Sequence, residues 1–200
     1  MPTASDAPTR VVIAEDEAII RLDLKELLEE EGYEVVGETG RGDEAVELVR
    51  NLDPDLAILD IKMPGLDGLS AARHIAGERL AAVLILTAFS QRDLVEQARD
   101  AGAMSYIVKP FQKSDLIPAI EVALGRHAEL TSLESEVGDL AERLEARKVI
   151  DRAKGILMDR HGKNEQEAWR FLQTEAMNRR TKVHEVANLV IVGELAPDPA

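Results

Sequence analysis

The run Leu56-Ala57-Ile58-Leu59-Asp60 is the clearest indication of the fold, because four consecutive apolar residues are followed by a carboxylate. A short run of this kind is typical of a parallel strand that is buried on both faces. Similar runs recur along residues 10–125 and alternate with stretches of helical periodicity. This alternation predicts an α/β fold with a doubly wound, five-stranded parallel sheet.

The predicted strands follow these runs, and the predicted helices lie between them. Strands are expected at about residues 10–14, 33–38, 55–60, 82–87 and 104–108. Helices are expected at residues 17–31, 42–52, 68–78 and 90–100. A fifth helix should start near Asp115, with Ser114 as its N-cap. Gly32 and Gly102 stand where the first and fourth helices should end.

Polar side chains stand where four of the strands end. They are Glu15, Asp16, Asp60, Thr87 and Lys109. Because ligand sites collect at the carboxyl ends of strands in open α/β sheets, we expect these side chains to converge. Clustered carboxylates favour a divalent cation, and a carboxylate beside such a cation can accept a phosphoryl group. Taken singly, each residue is more often a cap, a space-filling residue or a solvated charge; their shared placement favours the site.

Composition excludes several classes of protein. The chain has no cysteine, which rules out disulfides and zinc–thiolate sites and fits a reducing compartment. No apolar run approaches the roughly 18 residues of a membrane helix, so we expect a cytoplasmic protein without membrane contact. The net charge of -14 argues against nucleic-acid binding by the whole surface. Residues 146–182 nevertheless contain ten basic and five acidic residues, whereas residues 1–125 contain 12 and 24.

The pattern changes after residue 125, where apolar residues recur at alternating spacings of three and four. They form an a/d seam of Leu130, Leu133, Val137, Leu140 and Leu144. The fifth helix is expected to continue into this seam, because no proline- or glycine-rich linker intervenes. We favour a dimer seam over a solvated amphipathic linker, the alternative that so short a seam leaves open.

Three short helices are predicted beyond the seam. The first should end before Gly162, and the second should start at the capping-box pair Asn164 and Glu167. Thr181 is expected to cap the third. Three short helices bury little area, so this unit is expected to need a partner chain or the long helix for stability.

Residues 10–125 resemble the receiver domain of bacterial two-component response regulators. The resemblance rests on the pair Glu15-Asp16, the string Leu59-Asp60-Ile61-Lys62-Met63-Pro64-Gly65, the step Thr87-Ala88 and the pair Lys109-Pro110. It implies that a sensor histidine kinase phosphorylates Asp60, whose carboxylate is the nucleophile. It also implies a Mg²⁺ site formed by Glu15, Asp16, Asp60 and the backbone carbonyl of Lys62.

The same resemblance implies the remaining roles at this site. Lys109 would neutralise the phosphoryl oxygens, and Thr87 would donate its hydroxyl to them. Tyr106 stands at the place of the family's aromatic switch, which turns inward as Thr87 moves toward the phosphoryl group; the alternative is a half-buried edge-strand tyrosine. The bond between Lys109 and Pro110 is a candidate cis peptide.

Residues 147–193 resemble the ANTAR domain, an RNA-binding antitermination module found behind receivers. The most specific match is Ala153-Lys154-Gly155-Ile156-Leu157-Met158, and Glu167-Ala168, Ala176-Met177-Asn178-Arg179-Arg180 and Val186-Ala187 continue it. This assignment leaves residues 126–146 as a coiled-coil linker. Residues 1–9 and 194–200 are then disordered ends.

RNA recognition by this unit would be helical and led by phosphate contacts, because its only aromatic residues, Trp169 and Phe171, fall at core spacing. The candidate RNA-binding residues are Arg147, Lys148, Arg152, Lys154, Arg179, Arg180 and Lys182. Of these, we favour Lys154, Arg179 and Arg180 and expect their side chains to be exposed. Each candidate could instead be a solvated helix charge, or could pair with Asp151, Asp159 or Glu175.

Together these features predict a response regulator whose phosphorylation promotes a homodimer. Its two ANTAR units would bind paired RNA hairpins in leader transcripts and prevent a terminator from forming. The chain is expected to accept a phosphoryl group and not to turn over a substrate. A DNA-binding transcription factor is disfavoured, because no helix-turn-helix pattern with a basic recognition helix is evident. The third possibility is an output unit that binds another regulatory protein.

Overall fold

The computed structural model describes residues 7–88 and 92–197. The chain divides into two compact units, Met1–Ser132 and Leu133–Ala200. Within the described ranges, every helix is too short or too polar to cross a bilayer.

The first unit contains the predicted doubly wound sheet of five parallel strands, which are β1 (Arg10–Ala14), β2 (Glu34–Thr39), β3 (Leu56–Asp60), β4 (Ala82–Thr87) and β5 (Ser105–Val108). Their order in the sheet is β2-β1-β3-β4-β5. Each lies within one residue of its predicted bounds, so the strand predictions are confirmed.

Helices connect successive strands and cover both faces of the sheet. They are α1 (Ala18–Glu30), α2 (Gly42–Leu52), α3 (Gly68–Gly77), α4 (Arg92–Asp100) and α5 (Lys113–His161). The first residues predicted for α4 lie outside the described ranges. Gly32 and Gly102 have φ of 85° and 84°, the left-handed conformation predicted for them after α1 and α4.

Alternate residues of the central strands enter two separate cores. Val12 and Leu59 belong to the core that α2 and α3 cover, whereas Val11 and Ile58 belong to the core that α1 and α5 cover. Because the sheet is covered on both faces, its inner strands need apolar residues at every position. This requirement explains the uninterrupted apolar run of β3.

The start of α5 differs from the prediction. The helix begins at Lys113, so Ser114 lies inside it and is not the N-cap. The Asp115 carboxylate instead accepts a hydrogen bond of 3.0 Å from the backbone N–H of Gln112. From there α5 continues without a break through residues 126–146, as predicted. It also runs on to His161, so the first of the three short helices predicted beyond the seam is the end of α5 and not a separate helix.

The second unit joins the end of α5 to α6 (Glu165–Arg179) and α7 (Val183–Val192). Its core consists of Ala153, Leu157, Ala168, Leu172, Ala176, Val186, Ala187 and Val190. The predicted capping box is confirmed, since Asn164 and Glu167 each bind the other's backbone N–H. The predicted cap at Thr181 is wrong, because Lys182 occupies the N-cap position of α7 and the Thr181 hydroxyl bonds the Glu185 carboxylate.

The chain stays ordered beyond α7. The backbone N–H groups of Glu194 and Leu195 donate to the carbonyl of Leu189, and Leu195 packs against the core of the second unit. The predicted disordered tail, residues 194–200, therefore begins with two ordered residues. Residues 1–6 and 198–200 of the predicted disordered ends lie outside the described ranges.

Candidate functional site

Three carboxylates converge at the carboxyl edge of the sheet. Glu15 and Asp16 follow β1, and Asp60 is the last residue of the neighbouring strand β3. One oxygen of each lies within 4.8 Å of the others. Glu15 and Asp60 are buried, whereas Asp16 is exposed. The predicted convergence of this acidic cluster is confirmed.

Lys109 follows the edge strand β5 and reaches into this cluster. Its Nζ lies 2.9 Å from Asp60 Oδ1 and also donates to Glu15 Oε2. Only 11% of the Lys109 side chain is exposed. One ammonium among three carboxylates leaves two negative charges, which a single divalent cation would balance.

Glu15 and Lys109 alter each other's pKa. Burial raises the pKa of Glu15, the hydrogen bond from Lys109 lowers it, and the nearby charge of Asp60 raises it, so that it ends above its ordinary value. Burial lowers the pKa of Lys109, but hydrogen bonds to Glu15 and Asp60 outweigh this effect and raise it. Lys109 is therefore a stable ammonium that faces the carboxylates.

The donor set fits magnesium. Mg²⁺ prefers carboxylate and carbonyl oxygens and keeps several waters, and Glu15, Asp16 and Asp60 offer three carboxylates at one edge. The Lys62 backbone N–H donates 3.1 Å to Asp60 Oδ2. Lys62 also lines a groove of about 850 Å³ together with Asp16. The role of the Lys62 carbonyl as a ligand stays a prediction.

Thr87 lies on β4 and Tyr106 on the neighbouring edge strand β5. Thr87 ends β4 and is buried, one residue beyond Leu86, the register partner of Asp60. Tyr106 pairs with Ile85 from the edge strand, and 45% of it is exposed. The Tyr106 side chain is thus in an outward position. The bond between Lys109 and Pro110 is cis, as expected.

Two residues at this site are missing from the sequence-based prediction. An added Cβ at Gly68 would lie 1.9 Å from the Asp60 carbonyl oxygen, so only glycine lets α3 approach the end of β3 this closely. The Arg21 guanidinium donates to the Glu15 carbonyl and lies 3.9 Å from Glu38. It therefore ties the loop that carries the acid pair to β2. A glycine at the start of a predicted helix was a usable signal for Gly68; nothing in the sequence indicates the Arg21 contact.

The predicted RNA-binding residues of the second unit differ in their surroundings. Arg147, Lys148, Arg152, Arg179, Arg180 and Lys182 are exposed. Several are paired on the surface: Arg147 with Asp151, Lys148 with Glu145, Arg179 with Glu175, and Lys182 with Glu142. Exposed pairs of this kind contribute about 0–1 kcal/mol and can exchange partners.

Lys154 contradicts the expectation that it is exposed. Its side chain is 18% exposed, and Nζ lies 2.9 Å from both Asp151 on α5 and Glu165 on α6. Hydrogen bonds to these two carboxylates raise the pKa of Lys154. Because it joins the two helices, Lys154 is at least in part a structural residue.

Trp169 also departs from the prediction, because it is 38% exposed and not part of the core. The core of α6 uses residues 168, 172 and 176, and Trp169 lies at the edge of that line, where it lines a groove with residues of α5. Phe171 packs against the core, as expected, with Lys163 Nζ 6.0 Å from its ring centroid.

The seam side chains are all exposed, between 38% for Leu130 and 65% for Val137. A row of exposed aliphatic side chains on one helix is typical of a surface that another helix covers. The predicted dimer contact stays a prediction.

Comparison with known proteins identifies both units. The model of the response regulator receiver domain matches residues 11–121, and the model of the ANTAR domain matches residues 138–191, a range that begins inside the predicted linker. The chain is 59% identical over 191 residues to the transcriptional regulatory protein PdtaR of Mycobacterium tuberculosis, covering 94% of this chain and 93% of that protein.

Two further relatives match little more than half of the chain. Chemotaxis protein CheY of Thermotoga maritima is 40% identical over 56% of this chain and 93% of its own length. The signal receiver domain of the putative response regulator NarL from Mycobacterium tuberculosis superposes with a TM-score of 0.57 at 29% identity, over 60% of this chain and 98% of that one. The chain belongs to the response regulators, with a receiver domain followed by an ANTAR domain.

Proposed function

We propose that this chain is a phosphorylation-controlled RNA-binding protein that regulates transcription antitermination. The proposal rests on the presence of two parts in one chain. The first is Asp60, flanked by Lys109 and the acid pair Glu15 and Asp16, and the second is the ANTAR domain. The receiver supplies a chemical input, and the ANTAR domain supplies an output whose basic residues are concentrated in residues 146–182.

The input is a phosphoryl transfer from a phosphohistidine on a sensor histidine kinase. An oxygen of Asp60 attacks phosphorus, an O–P bond forms as the P–N bond breaks, and the imidazole leaves with the electron pair. The ammonium of Lys109, which faces Asp60, then forms an ion pair with the phosphoryl oxygens. Glu15, Asp16, Asp60 and the Lys62 carbonyl would hold Mg²⁺, which supplies positive charge beside the transferred group.

Thr87 and Tyr106 then transmit the effect of phosphorylation from Asp60 to the surface of the receiver. The Thr87 hydroxyl donates to a phosphoryl oxygen, and its shift frees space into which the exposed Tyr106 ring turns. Burying this ring removes apolar surface from water, which favours the inward position once space exists. The input therefore alters the surface near the edge strand β5.

The output is a dimer that engages RNA. The receiver carries 24 acidic and 12 basic residues in residues 1–125 and repels RNA at long range, so affinity has to come from close contacts on the ANTAR unit. Pairing two chains through the Leu130 to Leu144 seam makes the second RNA contact intramolecular. Such avidity can raise affinity by ~10²–10⁴. Two units would thereby hold paired hairpins of a leader transcript and keep a terminator from forming.

The proposal is tested by crosslinking the full chain to RNA in cells and sequencing what is bound. Wild type should recover leader transcripts with paired hairpins, and Asp60→Asn should recover them poorly while being present at the same level. Gel-shift assays with an RNA hairpin and the DNA hairpin of the same sequence provide the matched control. Recovery of DNA or of a protein partner without RNA enrichment contradicts the proposal.

A further inference from the structure

The ANTAR unit contains a groove between α5 and α6 that combines one exposed aromatic ring with three cations. The groove has a volume of about 410 Å³, and its lining includes Arg143, Arg147, Ile150, Lys154 and Trp169. This volume lies within the range of ligand-binding pockets. All of these residues belong to the second unit, so the groove is complete in one ANTAR unit.

Trp169 is unusual in its position. It is the only tryptophan of the chain, it is 38% exposed, and the core of its unit is complete without it. An indole ring with an open face is a stacking surface for a nucleobase, and base–aromatic stacking contributes about 1–3 kcal/mol per base. Phe171 packs against the core of the unit and is less available for this contact.

The charges around Trp169 suit the backbone of a nucleic acid. Arg143 and Arg147 lie one turn apart on α5, and both are exposed. Arg143 also lines the neighbouring groove with Lys182 and His184, in which Lys182 pairs with Glu142 at 3.8 Å. Among the described residues, Asp151 is the single carboxylate that lines the groove of Trp169, and it pairs with Lys154 at 2.9 Å.

We propose that this groove binds one unpaired base of an RNA hairpin loop, stacked on Trp169, with Arg143 and Arg147 holding the flanking phosphates. A duplex cannot present a base to it without unstacking, so the groove distinguishes a looped hairpin from a closed stem. The groove shares no residue with the Leu130 to Leu144 seam, although Arg147 follows Leu144 by three positions and lies on the same face of α5. The inference rests on the proposed RNA-binding function and adds the structural feature of the RNA that is recognised.

The experiment uses the full chain with Mg²⁺ and beryllofluoride, and hairpins of one stem with a randomised loop. The tightest-binding hairpin is selected with wild type, and a closed duplex of the same stem is the matched RNA. Because Trp169 is the only tryptophan, its fluorescence reports on the groove directly. We expect saturable quenching of this emission by the hairpin and little by the duplex.

Substitutions separate the contribution of base stacking to hairpin affinity from the contribution of the charges. Trp169→Leu should weaken hairpin binding about 5- to 150-fold and leave duplex binding unchanged, whereas Trp169→Phe should retain most of the affinity. Arg147→Ala should weaken hairpin binding more than Arg160→Ala, which removes an exposed arginine of the same helix outside the groove. Unfolding midpoints confirm that each variant is folded, and the wild-type emission reads the site without any substitution.

The remaining outcomes contradict either the proposed function or the role of the groove. Wild type that selects no hairpin contradicts the proposed function and this inference together. Hairpin binding with unchanged tryptophan emission, or with equal affinity in Trp169→Leu, overturns the groove and leaves the proposed function standing. An emission change that follows protein concentration without RNA assigns the groove to a second copy of the chain and also overturns the inference.

Discussion

Lys109 Nζ lies 2.9 Å from Asp60 Oδ1, so the ammonium at the end of β5 already holds the carboxylate at the end of β3. The same Nζ also bonds Glu15, which is buried. The cation is thus shared between two carboxylates. In the proposed phosphoryl transfer, the phosphoryl group would offer Lys109 a stronger partner without requiring it to cross the site.

The first prediction concerns Asp60. Replacing it with Asn keeps the size of the side chain but removes the nucleophilic carboxylate. With Mg²⁺ and acetyl phosphate or a phosphorylated kinase, wild type should be labelled and Asp60→Asn should not; omitting Mg²⁺ should abolish wild-type labelling as well. Asp67→Asn, which alters the N-cap of α3, is the control. Persistent acid-stable labelling of Asp60→Asn contradicts the assignment.

The second prediction uses two glycines of α3. A Cβ at Gly68 would lie 1.9 Å from the Asp60 carbonyl oxygen and 3.1 Å from Ile61 Cα, and backbone atoms yield little. Gly68→Ala should lower the free energy of unfolding by about 1–3 kcal/mol and slow phosphorylation. At Gly77 a Cβ meets nothing within 4 Å, so Gly77→Ala should raise stability by about 0.5–1 kcal/mol. Equal stability of the two variants in urea unfolding refutes the close approach.

The sequence predicts the receiver site well for a physical reason. Parallel strands end at one edge, so locating apolar runs is enough to bring Asp60 and Lys109 together. The caps were less predictable: Ser114 and Thr181 have suitable side chains, but a neighbouring residue starts each helix instead. Helical spacing also could not decide whether Trp169 is buried, because this residue lies at the edge of the line of Ala168, Leu172 and Ala176 that forms the core of α6.

The third prediction concerns Tyr33. Its hydroxyl donates to Glu121 Oε1 at 3.1 Å, and burial together with this carboxylate raises the pKa of Tyr33 from 10.0 to about 12. The folded state therefore keeps the proton to higher pH than the unfolded chain, so stability is intact below pH 10 and falls as pH rises toward 12. Tyr33→Phe has no hydroxyl to titrate and should lack this decline.

The measurement is the difference in unfolding free energy between wild type and Tyr33→Phe from pH 8 to 11. Taking the difference removes the titration of lysines, which the two proteins share. A difference that stays constant across this range contradicts the prediction.

The fourth prediction concerns the seam. Leu133 and Leu140 are 52% and 63% exposed, so Leu133→Lys with Leu140→Lys should leave the folded chain intact. Two lysines in each helix would repel at a dimer interface, and beryllofluoride should then no longer raise the dimer fraction in sedimentation. Ser135→Lys, at the outward-facing f position of the same helix, is the control. A dimer that persists in the double variant places the interface elsewhere.

The fifth prediction separates binding charges from structural ones. Arg179 and Arg180 are exposed at the end of α6, and the pair of Arg179 with Glu175 is a weak surface contact. Replacing both arginines with Ala should weaken hairpin binding and lower the slope of log affinity against log salt by about one unit for each phosphate that is no longer bound. Lys154→Ala breaks contacts to both Asp151 and Glu165, so it should lower the unfolding midpoint in addition.

If the arginine variant has the wild-type salt slope, its charges are ordinary solvated helix residues. If Lys154→Ala changes the slope without changing the midpoint, Lys154 binds phosphate and does not hold α6.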